Sequence, residues 1–270
     1  NCTFFSKETK KIKSNIFFVG SSHAGTLSGM IEKIIKEIDA NKINLYVGGA
    51  FFPSLSKEYY FNVDKNTYNK IDNFNANQAS IENFIYKNAS YGDTIVIANH
   101  LQLYFAEDIN DSDEEIELKN KYLEKYFANL EYFIKKVLKK SINVIFIEPH
   151  PFFKEFDKNI INTKYCANQW FKKYNKLTGC DVKTSRSQLI NSIKNINFYL
   201  NDLSKKNKNF FVFYTFDLFC PDNKKDECTN KVDKKIYLYD ADHLNNYGGS
   251  FIAPYFKNLF NSIKYSKFTQ

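Results

Sequence analysis

Short apolar runs alternate with amphipathic segments along the chain, and this order is the feature that most constrains its fold. A repeated strand–helix–strand order is typical of a parallel sheet with helices on both faces. Strands are predicted at 14–19, 43–47, 93–98, 141–147 and 210–214. Helices are predicted at 26–39, 79–87, from the acidic stretch 108–117 through 140, at 185–205 and near 249–265. The sequence therefore predicts a three-layer α/β/α fold with a parallel five-stranded sheet.

The longer polar segments give no sign of a second domain. Residues 52–77 have no clean period and are predicted as loop with a short helix, and residues 152–183 are predicted as loop. The 270 residues suit one α/β domain, and no linker rich in Pro, Gly or Ser interrupts them. We therefore expect residues 1–270 to form a single domain. Because the chain does not begin with Met, we expect a mature form or an excised part of a larger membrane-associated protein.

The charge and hydropathy of the chain indicate which classes of binding partner are expected. The formal net charge is +8, but the lysines are scattered through amphipathic stretches such as 31–38 and 132–140. They form no basic cluster with interleaved aromatic residues, so nucleic-acid binding is not expected. A nearby anionic polysaccharide or membrane surface suits the charge better. The sequence contains no run of 18 apolar residues that would span a membrane.

A serine lies where the first predicted strand gives way to a helix. In Gly20-Ser21-Ser22-His23, the hydroxyl of Ser22 is near free backbone N–H groups of the helix start, which stabilise negative charge. The oxyanion of an acyl-transfer intermediate needs such stabilisation, so Ser22 is a candidate nucleophile. The alternative is that Ser21 or Ser22 is only an N-cap. The glycine pattern of a P-loop or a dinucleotide site is absent.

A histidine in an acidic segment near the C-terminus is the candidate base. A serine hydroxyl is a weak nucleophile without a nearby base, and histidine titrates closest to neutral pH. The base in turn needs a carboxylate that fixes its tautomer. Asp240 can orient His243 if the segment turns, and Asp242 is the competing candidate. A histidine in such a segment is more often a surface residue, so this prediction depends on its combination with Ser22.

Four of the five cysteines fall as two local pairs in loop-like sequence. The pairs are Cys166 with Cys180 and Cys220 with Cys228, and their spacing does not match a zinc site. Two loop-closing disulfides are therefore favoured over buried free thiols, and Cys2 is left over. Disulfides form in oxidising compartments, so this pairing predicts a location outside the cytoplasm.

These motifs together resemble those of the SGNH hydrolases. Residues 20–23 are similar to their first block, Gly-Asp-Ser-(His), and residues 240–243 to their closing Asp-x-x-His block. More narrowly, YLYDADHLNNYGG at 237–249 resembles the end of the SGNH domain attached to acyltransferase-three membrane proteins. Those proteins add O-acetyl groups to sugars of bacterial surface polysaccharides. The resemblance extends over most of the chain, includes the cysteine pairs, and implies an SGNH-hydrolase, flavodoxin-like fold.

The resemblance also implies roles for individual residues. Ser22 attacks an acyl donor, His243 takes its proton, and Asp240 orients His243. The backbone N–H of Ser22 contributes to the oxyanion hole. The further oxyanion donors are a second-block glycine, which is either Gly48 or Gly49, and Asn99 as the nearest match to the third-block Asn. Ser21 stands where the family has Asp, and the third block lacks its Gly-x-Asn-Asp form.

Two further histidines follow predicted strands. His100 and His150 could each line the pocket and bind a sugar hydroxyl, and an ordinary hydrogen-bonded loop histidine is the alternative. The triad needs no metal and no tightly bound cofactor.

The predicted function is an extracytoplasmic, serine-dependent O-acyltransferase acting on a surface polysaccharide such as lipopolysaccharide. A membrane acyltransferase domain or protein is expected to pass the acyl group to this domain, and a glycan is the expected acceptor. The expected location is therefore the periplasm, with a tether to the inner membrane. A carbohydrate acetylesterase would use the same triad. A catalytically silent glycan-binding module is the alternative from another class, and a Ser22–His243 hydrogen bond would count against it.

Overall fold

A six-stranded sheet forms the centre of the fold. The structure, a computed structural model, describes residues 2–5, 14–38, 40, 42–48, 51–53, 65–107, 111–153, 182–222 and 225–265. Seven strands precede residue 214: β1 (Cys2–Phe5), β2 (Asn15–Gly20), β3 (Lys42–Val47), β4 (Thr94–Ala98), β5 (Asn143–Ile147), β6 (Lys183–Ser185) and β7 (Phe210–Phe213). All of these except β6 belong to the central sheet, in the order β1-β3-β2-β4-β5-β7.

The five predicted strands are confirmed, and they are parallel to one another. Strand β1 is an addition at the sheet edge, where it pairs antiparallel with β3 and sets Cys2 opposite Leu45. The sequence prediction omitted β1 because four residues show too little alternation to be separated from loop. Its pairing with a strand about 40 residues away determines its structure.

The parallel strands have the flavodoxin-like order that was predicted. After β2 the chain moves to one side to form β3, and it then returns to the other side of β2 to form β4. Ligand sites in such sheets lie at the carboxyl ends of the strands where this direction changes. Ser22 follows β2 and Asn99 follows β4, so both lie at that point.

Helices connect the strands and follow the sheet. The helices in the described ranges are α1 (Ser22–Thr26), α2 (Ser28–Ile34), α3 (Lys65–Asn88), α4 (Leu101–Phe105), α5 (Asp113–Leu138), α6 (Arg186–Ser192), α7 (Lys194–Lys206), α8 (Phe216–Phe219) and α9 (Asn246–Tyr265). Two predicted helices are each divided, at Leu27 and at Ile193. Residues 52–77 were predicted as loop with a short helix, but 65–77 belong to the long helix α3. The extent of this helix was missed because α3 is polar and its first turns have no apolar periodicity to reveal them.

Right-handed crossovers place these helices on both faces of the sheet. The connection from β2 to β3 through α1 and α2 runs across the sheet in the opposite direction from the later connections. It therefore lies on one face, where α9 packs against α2. The connections that contain α3, α5 and α7 lie on the other face, where α5 contacts both α4 and α7. The predicted three-layer arrangement is confirmed.

Helix α5 shows how local sequence fixes these elements. Ser112 Oγ accepts a hydrogen bond from Glu115 N–H (3.3 Å), and Glu115 Oε2 accepts one from Ser112 N–H (2.8 Å). This capping box starts the helix at Asp113, within the acidic stretch of the prediction. The buried residues of α5 recur at helical spacing: Leu123, Tyr126, Phe127, Leu130, Phe133, Ile134 and Val137.

The described C-terminal region contains short strands and one disulfide. Strand β8 (Glu227–Thr229) pairs antiparallel with β6, and β9 (Lys231–Val232) pairs with β10 (Lys235–Ile236). A disulfide joins Cys220 to Cys228, as predicted, and both residues are buried. Cys166 and Cys180 lie outside the described residues, and the thiol of Cys2 is exposed and free.

None of the helices within the described ranges is long and apolar enough to cross a bilayer.

Candidate active site

A sharp turn presents Ser22 at the carboxyl end of β2. Gly20 has a φ of +148°, and a Cβ at this position would lie 1.9 Å from the carbonyl oxygen of Ala98. Only glycine allows the two strands to approach this closely while the backbone takes a left-handed conformation. The chain can therefore turn directly from the strand into α1, of which Ser22 is the first residue.

Ser21, and not Ser22, is the N-cap of α1. Ser21 Oγ accepts hydrogen bonds from the backbone N–H groups of His23 (3.4 Å) and His100 (3.1 Å). This resolves the alternative left open by the sequence, in which either serine could have been only a cap. The hydroxyl of Ser22 is therefore not used as the helix cap and can form a hydrogen bond with another group. Ser21 also links the turn after β2 to the segment after β4.

A tight loop carries the second half of the site. Residues 239–243 close on themselves, since Tyr239 N–H donates to the carbonyl of His243 at 2.7 Å. Asp240 Oδ1 accepts from the backbone N–H groups of Asp242 (3.1 Å) and His243 (2.8 Å). The Ala241 carbonyl accepts from the N–H of Phe153, which lies in the segment after β5. These bonds fix the loop against the carboxyl edge of the sheet.

Ser22, His243 and Asp240 form a continuous hydrogen-bonded chain. Ser22 Oγ lies 2.7 Å from His243 Nε2. On the other side of the ring, His243 Nδ1 lies 2.8 Å from Asp240 Oδ2 and 3.0 Å from Asp240 Oδ1. The carboxylate therefore requires the proton on Nδ1, which leaves the Nε2 lone pair to accept the hydroxyl proton of Ser22. This arrangement can activate a serine for attack on a carbonyl carbon.

Asp242, the competing carboxylate, also reaches this ring and holds two other histidines. Its Oδ1 lies 3.3 Å from His243 Nδ1. Its Oδ2 lies 2.9 Å from His23 Nε2 and 2.8 Å from His100 Nδ1. His150 Nε2 is hydrogen-bonded to the backbone carbonyl of Asp242. The ring of His23 stacks on that of His100, with centroids 4.3 Å apart.

Burial and hydrogen bonding displace the pKa values of this cluster in opposite directions. The hydrogen bonds to Asp240 and then to Asp242 raise the pKa of His243 to about 10. Burial lowers the pKa of His150 to about 4 and lowers the pKa of His23 well below its ordinary value. Burial alone would raise the pKa of Asp242, but hydrogen bonds from the histidine rings outweigh it and lower this pKa. At neutral pH these shifts favour an ionised Asp242, neutral rings at His23 and His150, and a protonated His243.

Asn99 lies next to the turn that presents Ser22, and its side-chain amide makes hydrogen bonds there through both Oδ1 and Nδ2. Its Oδ1 accepts from the N–H groups of Ser21 (3.2 Å) and Phe52 (3.1 Å). Its Nδ2 donates to the carbonyl of Phe52 and to the hydroxyl of Tyr126, each at 2.7 Å. Both amide hydrogens are thus used inside the fold. The oxyanion role predicted for Asn99 does not fit this geometry, and we assign it the support of the turn.

The structure tests one of the two glycines, Gly48 and Gly49, that were predicted as oxyanion donors. The backbone N–H of Gly48 donates to the carbonyl of Gly20 at 2.9 Å and is not available as an oxyanion donor. A Cβ at Gly48 would lie 2.2 Å from the amide of Gln78, so close packing explains the glycine. Gly49 lies outside the described residues, and its oxyanion role stays a prediction.

His100 and His150 are internal. Both are buried, and each uses a ring nitrogen on Asp242. The predicted binding of a sugar hydroxyl does not fit, because a buried ring already bonded to the protein cannot reach a ligand in open solvent. No local sequence pattern predicts this convergence, because the rings come from segments far apart in the chain.

An open cavity of about 580 Å³ lies beside the catalytic candidates. It is lined by Thr26, Tyr239, Asp240, His243, Leu244, Asn245 and Asn246. Tyr239 is 50% exposed at this cavity. Sequence analysis did not single out Tyr239, because its exposure depends on the shape of the loop. The cavity gives a substrate access to the side of His243.

One set of side chains has the spacing of metal ligands. Donor atoms of His23, Asp242 and His243 lie within 4.8 Å of one another. They are bonded to each other and to Ser22 in this arrangement, so a metal ion would have to replace those hydrogen bonds.

Comparison with known proteins agrees with this fold. A family model described as "SGNH domain (fused to AT3 domains)" matches residues 1–258. The structure of a lipopolysaccharide acetyltransferase periplasmic domain from Salmonella ser. Paratyphi A is similar, with a TM-score of 0.50 and 16% sequence identity. The similarity covers 92% of this chain and 84% of that one, and at this identity it shows a shared fold. No curated protein matches the chain at a significant level.

Proposed function

Because the chain belongs to the family of SGNH domains fused to AT3 domains, we propose that it is an O-acyltransferase with Ser22 as nucleophile. The observation that carries the proposal is the pair of contacts at His243. Its Nε2 lies 2.7 Å from Ser22 Oγ, and its Nδ1 lies 2.8 Å from Asp240. A silent binding module would have no need for this alignment, so the hydrogen bond counts against that alternative.

The proposed reaction has two acyl-transfer steps. Ser22 Oγ attacks the carbonyl carbon of an ester donor while His243 Nε2 takes the hydroxyl proton. The tetrahedral intermediate collapses, His243 returns the proton to the leaving oxygen, and the acyl group remains on Ser22. In the second step a sugar hydroxyl gives its proton to His243 and attacks the acyl-serine. The second intermediate then collapses and His243 returns that proton to Ser22 Oγ, so the products are an acylated sugar and free Ser22.

The negative charge of each intermediate needs hydrogen-bond donors. The backbone N–H of Ser22 in the first turn of α1 is one proposed donor. Gly49 stays the second proposed donor. Gly48 and Asn99 are not proposed as oxyanion donors, because their N–H groups are already hydrogen-bonded within the fold.

The cavity beside His243 supports a sugar as the proposed acceptor. A volume of about 580 Å³ accommodates at least one sugar ring, and the exposed face of Tyr239 offers an aromatic surface for it. An acceptor hydroxyl at this cavity is next to the base that must remove its proton. Water can enter the same open space, so slow ester hydrolysis is expected without a glycan. A carbohydrate acetylesterase would use water as its normal acceptor.

The donor and the location follow from family membership. SGNH domains of this family are fused to membrane acyltransferase domains, so such a domain is the proposed source of the acyl group. The lipopolysaccharide acetyltransferase domain of the same fold is described as periplasmic. These similarities support the proposal that residues 1–270 are one domain of a larger membrane-associated protein and lie on the extracytoplasmic side of the inner membrane. The short acyl group is proposed to be acetyl, and the acceptor a surface glycan such as lipopolysaccharide.

The test is turnover of p-nitrophenyl acetate by the purified domain, with Ser22→Ala as the matched variant. The wild type should release p-nitrophenol and carry a transient acetyl group on Ser22, detectable by mass spectrometry of the quenched protein. Loss of the nucleophile should lower turnover by at least about 10³-fold. Addition of a polysaccharide acceptor should yield acetylated glycan.

Two other results would change the proposal. Turnover without glycan acetylation across a panel of surface polysaccharides would favour the esterase. A well-folded wild type that matches Ser22→Ala in turnover and forms no acetyl-serine would contradict acyl chemistry at Ser22.

A further inference from the structure

All four histidines of the sequence contact one residue, Asp242. The Oδ2 atom of Asp242 accepts from His23 and His100, and its Oδ1 faces His243. Its backbone carbonyl accepts from His150. A single residue is therefore fixed by four rings that come from four separate segments of the chain. This is more than the cap or surface role that an aspartate in a loop usually has.

The carboxylate of Asp242 is the group on which the rings of this cluster converge. His23 and His100 each donate a ring N–H to the carboxylate of Asp242, and these hydrogen bonds fix the tautomer of both rings. The other nitrogen of His100, Nε2, is buried and finds no hydrogen-bond partner among the described residues. Burial lowers the pKa of His23 well below its ordinary value, so the neutral ring is favoured there.

His243 is thus faced by two carboxylates that differ in solvent screening. The side chain of Asp240 is 29% exposed and that of Asp242 is 11% exposed. Asp240 makes the shorter hydrogen bond with Nδ1, at 2.8 Å against 3.3 Å. Water and salt screen a buried charge less than an exposed one. The longer contact therefore still adds a strong field at the ring.

We propose that Asp242 is a second positioning carboxylate for His243, held in place by the three other histidines. Asp240 sets the tautomer and direction of the ring, and Asp242 stabilises the imidazolium that forms when Ser22 gives up its proton. The catalytic benefit rests on the acyltransferase function proposed above. The electrostatic role of Asp242 does not depend on it. The three buried histidines have a structural role here, because their hydrogen bonds keep the carboxylate of Asp242 directed at His243 without cancelling the charge of that carboxylate.

The first test measures the titration of His243 directly. Histidine side chains labelled with ¹⁵N are followed by NMR against pH in the wild type and in Asp240→Asn. This substitution leaves Asp242 and its ring contacts intact. The pKa of His243 should fall in Asp240→Asn but should stay at least one unit above the ordinary value of about 6.5. A return to the ordinary value would overturn the proposal.

The groups that face His243 must be followed in the same spectra. They are Asp240 and Asp242 on its own loop, Ser22 and His23 on α1, and His100 and His150 after β4 and β5. The rings of His23 and His150 should stay neutral across the titration of His243. The experiment needs no turnover, so it decides the role of Asp242 even if the domain proves to have no acyltransferase activity.

The second test uses Asp242→Asn, with Asp202→Asn as a control. Asp202 is paired with Lys206 on the exposed face of α7, far from the reacting groups in sequence and layer. Loss of the charge at position 242 should move the acid limb of the kcat/KM profile for p-nitrophenyl acetate to lower pH, and it should lower the alkaline plateau of that profile by about tenfold or more. A merely structural role would reduce the folded fraction without moving the limb. If Asp242→Asn does not fold, the Asp240→Asn titration decides alone.

Discussion

Ser22 and His243 are separated by 221 positions in the chain, yet Ser22 Oγ and His243 Nε2 lie 2.7 Å apart. Two local structures produce this contact: the glycine-dependent turn after β2 and the closed loop at 239–243. Each is fixed by its own backbone hydrogen bonds before any substrate arrives. The geometry is therefore preorganised, which is what an acyl-transfer site requires.

Removal of the Ser21 hydroxyl should affect stability more than chemistry. Ser21→Ala loses the N-cap of α1 and leaves the N–H of His100 without its acceptor. We expect the free energy of unfolding to fall by about 1–2 kcal/mol. Turnover of p-nitrophenyl acetate should fall less than about tenfold. Denaturant unfolding and steady-state kinetics check both parts, and a loss of turnover as deep as that of Ser22→Ala would show that Ser21 takes part in the reaction.

The pH dependence of turnover should be displaced to alkaline pH. His243 can accept the proton of Ser22 only in its neutral form, and its pKa is raised to about 10. The neutral fraction therefore grows as pH rises from 7 toward 10, and kcat/KM should rise with it. The rate of Ser22→Ala at each pH gives the spontaneous hydrolysis to be subtracted. A plateau already reached at pH 7 would contradict the raised pKa.

The aromatic face of Tyr239 should matter for the acceptor and not for water. Tyr239→Ala should lower glycan acetylation by about tenfold, while hydrolysis of p-nitrophenyl acetate changes little, because stacking contributes about 1 kcal/mol or more. Tyr239→Phe keeps the ring and should retain transfer. Tyr132→Ala removes a tyrosine that is 62% exposed on α5 and serves as the control. Equal transfer by wild type and Tyr239→Ala would place the acceptor elsewhere.

Acid should unfold the domain partly through its buried histidines. Burial lowers the pKa of His150 to about 4, whereas the unfolded chain binds this proton at about 6.5. The unfolded state therefore binds more protons between these pH values, and stability falls as pH drops from 6.5 to 4, by up to about 3 kcal/mol from this group. His150→Gln should show a shallower loss. Denaturant titrations at several pH values measure it, and identical slopes in both proteins would exclude a contribution from His150.

Loss of the described disulfide should destabilise the domain. Cys220 and Cys228 close a loop with a sequence separation of 8, and both are buried. Loop-closure entropy predicts that the double variant Cys220→Ser/Cys228→Ser loses about 2–3 kcal/mol of unfolding free energy. Cys2→Ser is the matched control, because that thiol is exposed and free. Equal stability of the two variants would show that the crosslink has no thermodynamic effect.

The sequence by itself determined the layered fold and was enough to name the residues of the proposed triad. Strand and helix periods are local properties, so the five parallel strands could be predicted within a few residues. The proposed triad could be named because each of its two motifs is a run of only four consecutive residues. The start of α3 and the edge strand β1 could not, since the first lacks apolar periodicity and the second depends on pairing with β3.

The tertiary structure alone decided how the remaining polar groups are used. Asn99 and Gly48 were predicted as oxyanion donors, but both have acceptors within the fold that no local pattern reveals. The choice between Asp240 and Asp242 was open in the sequence, and the structure brings both to His243. The physical reason is general. A hydrogen bond depends on separations of about 3 Å between groups that can be hundreds of residues apart, and only packing of the whole chain sets those separations.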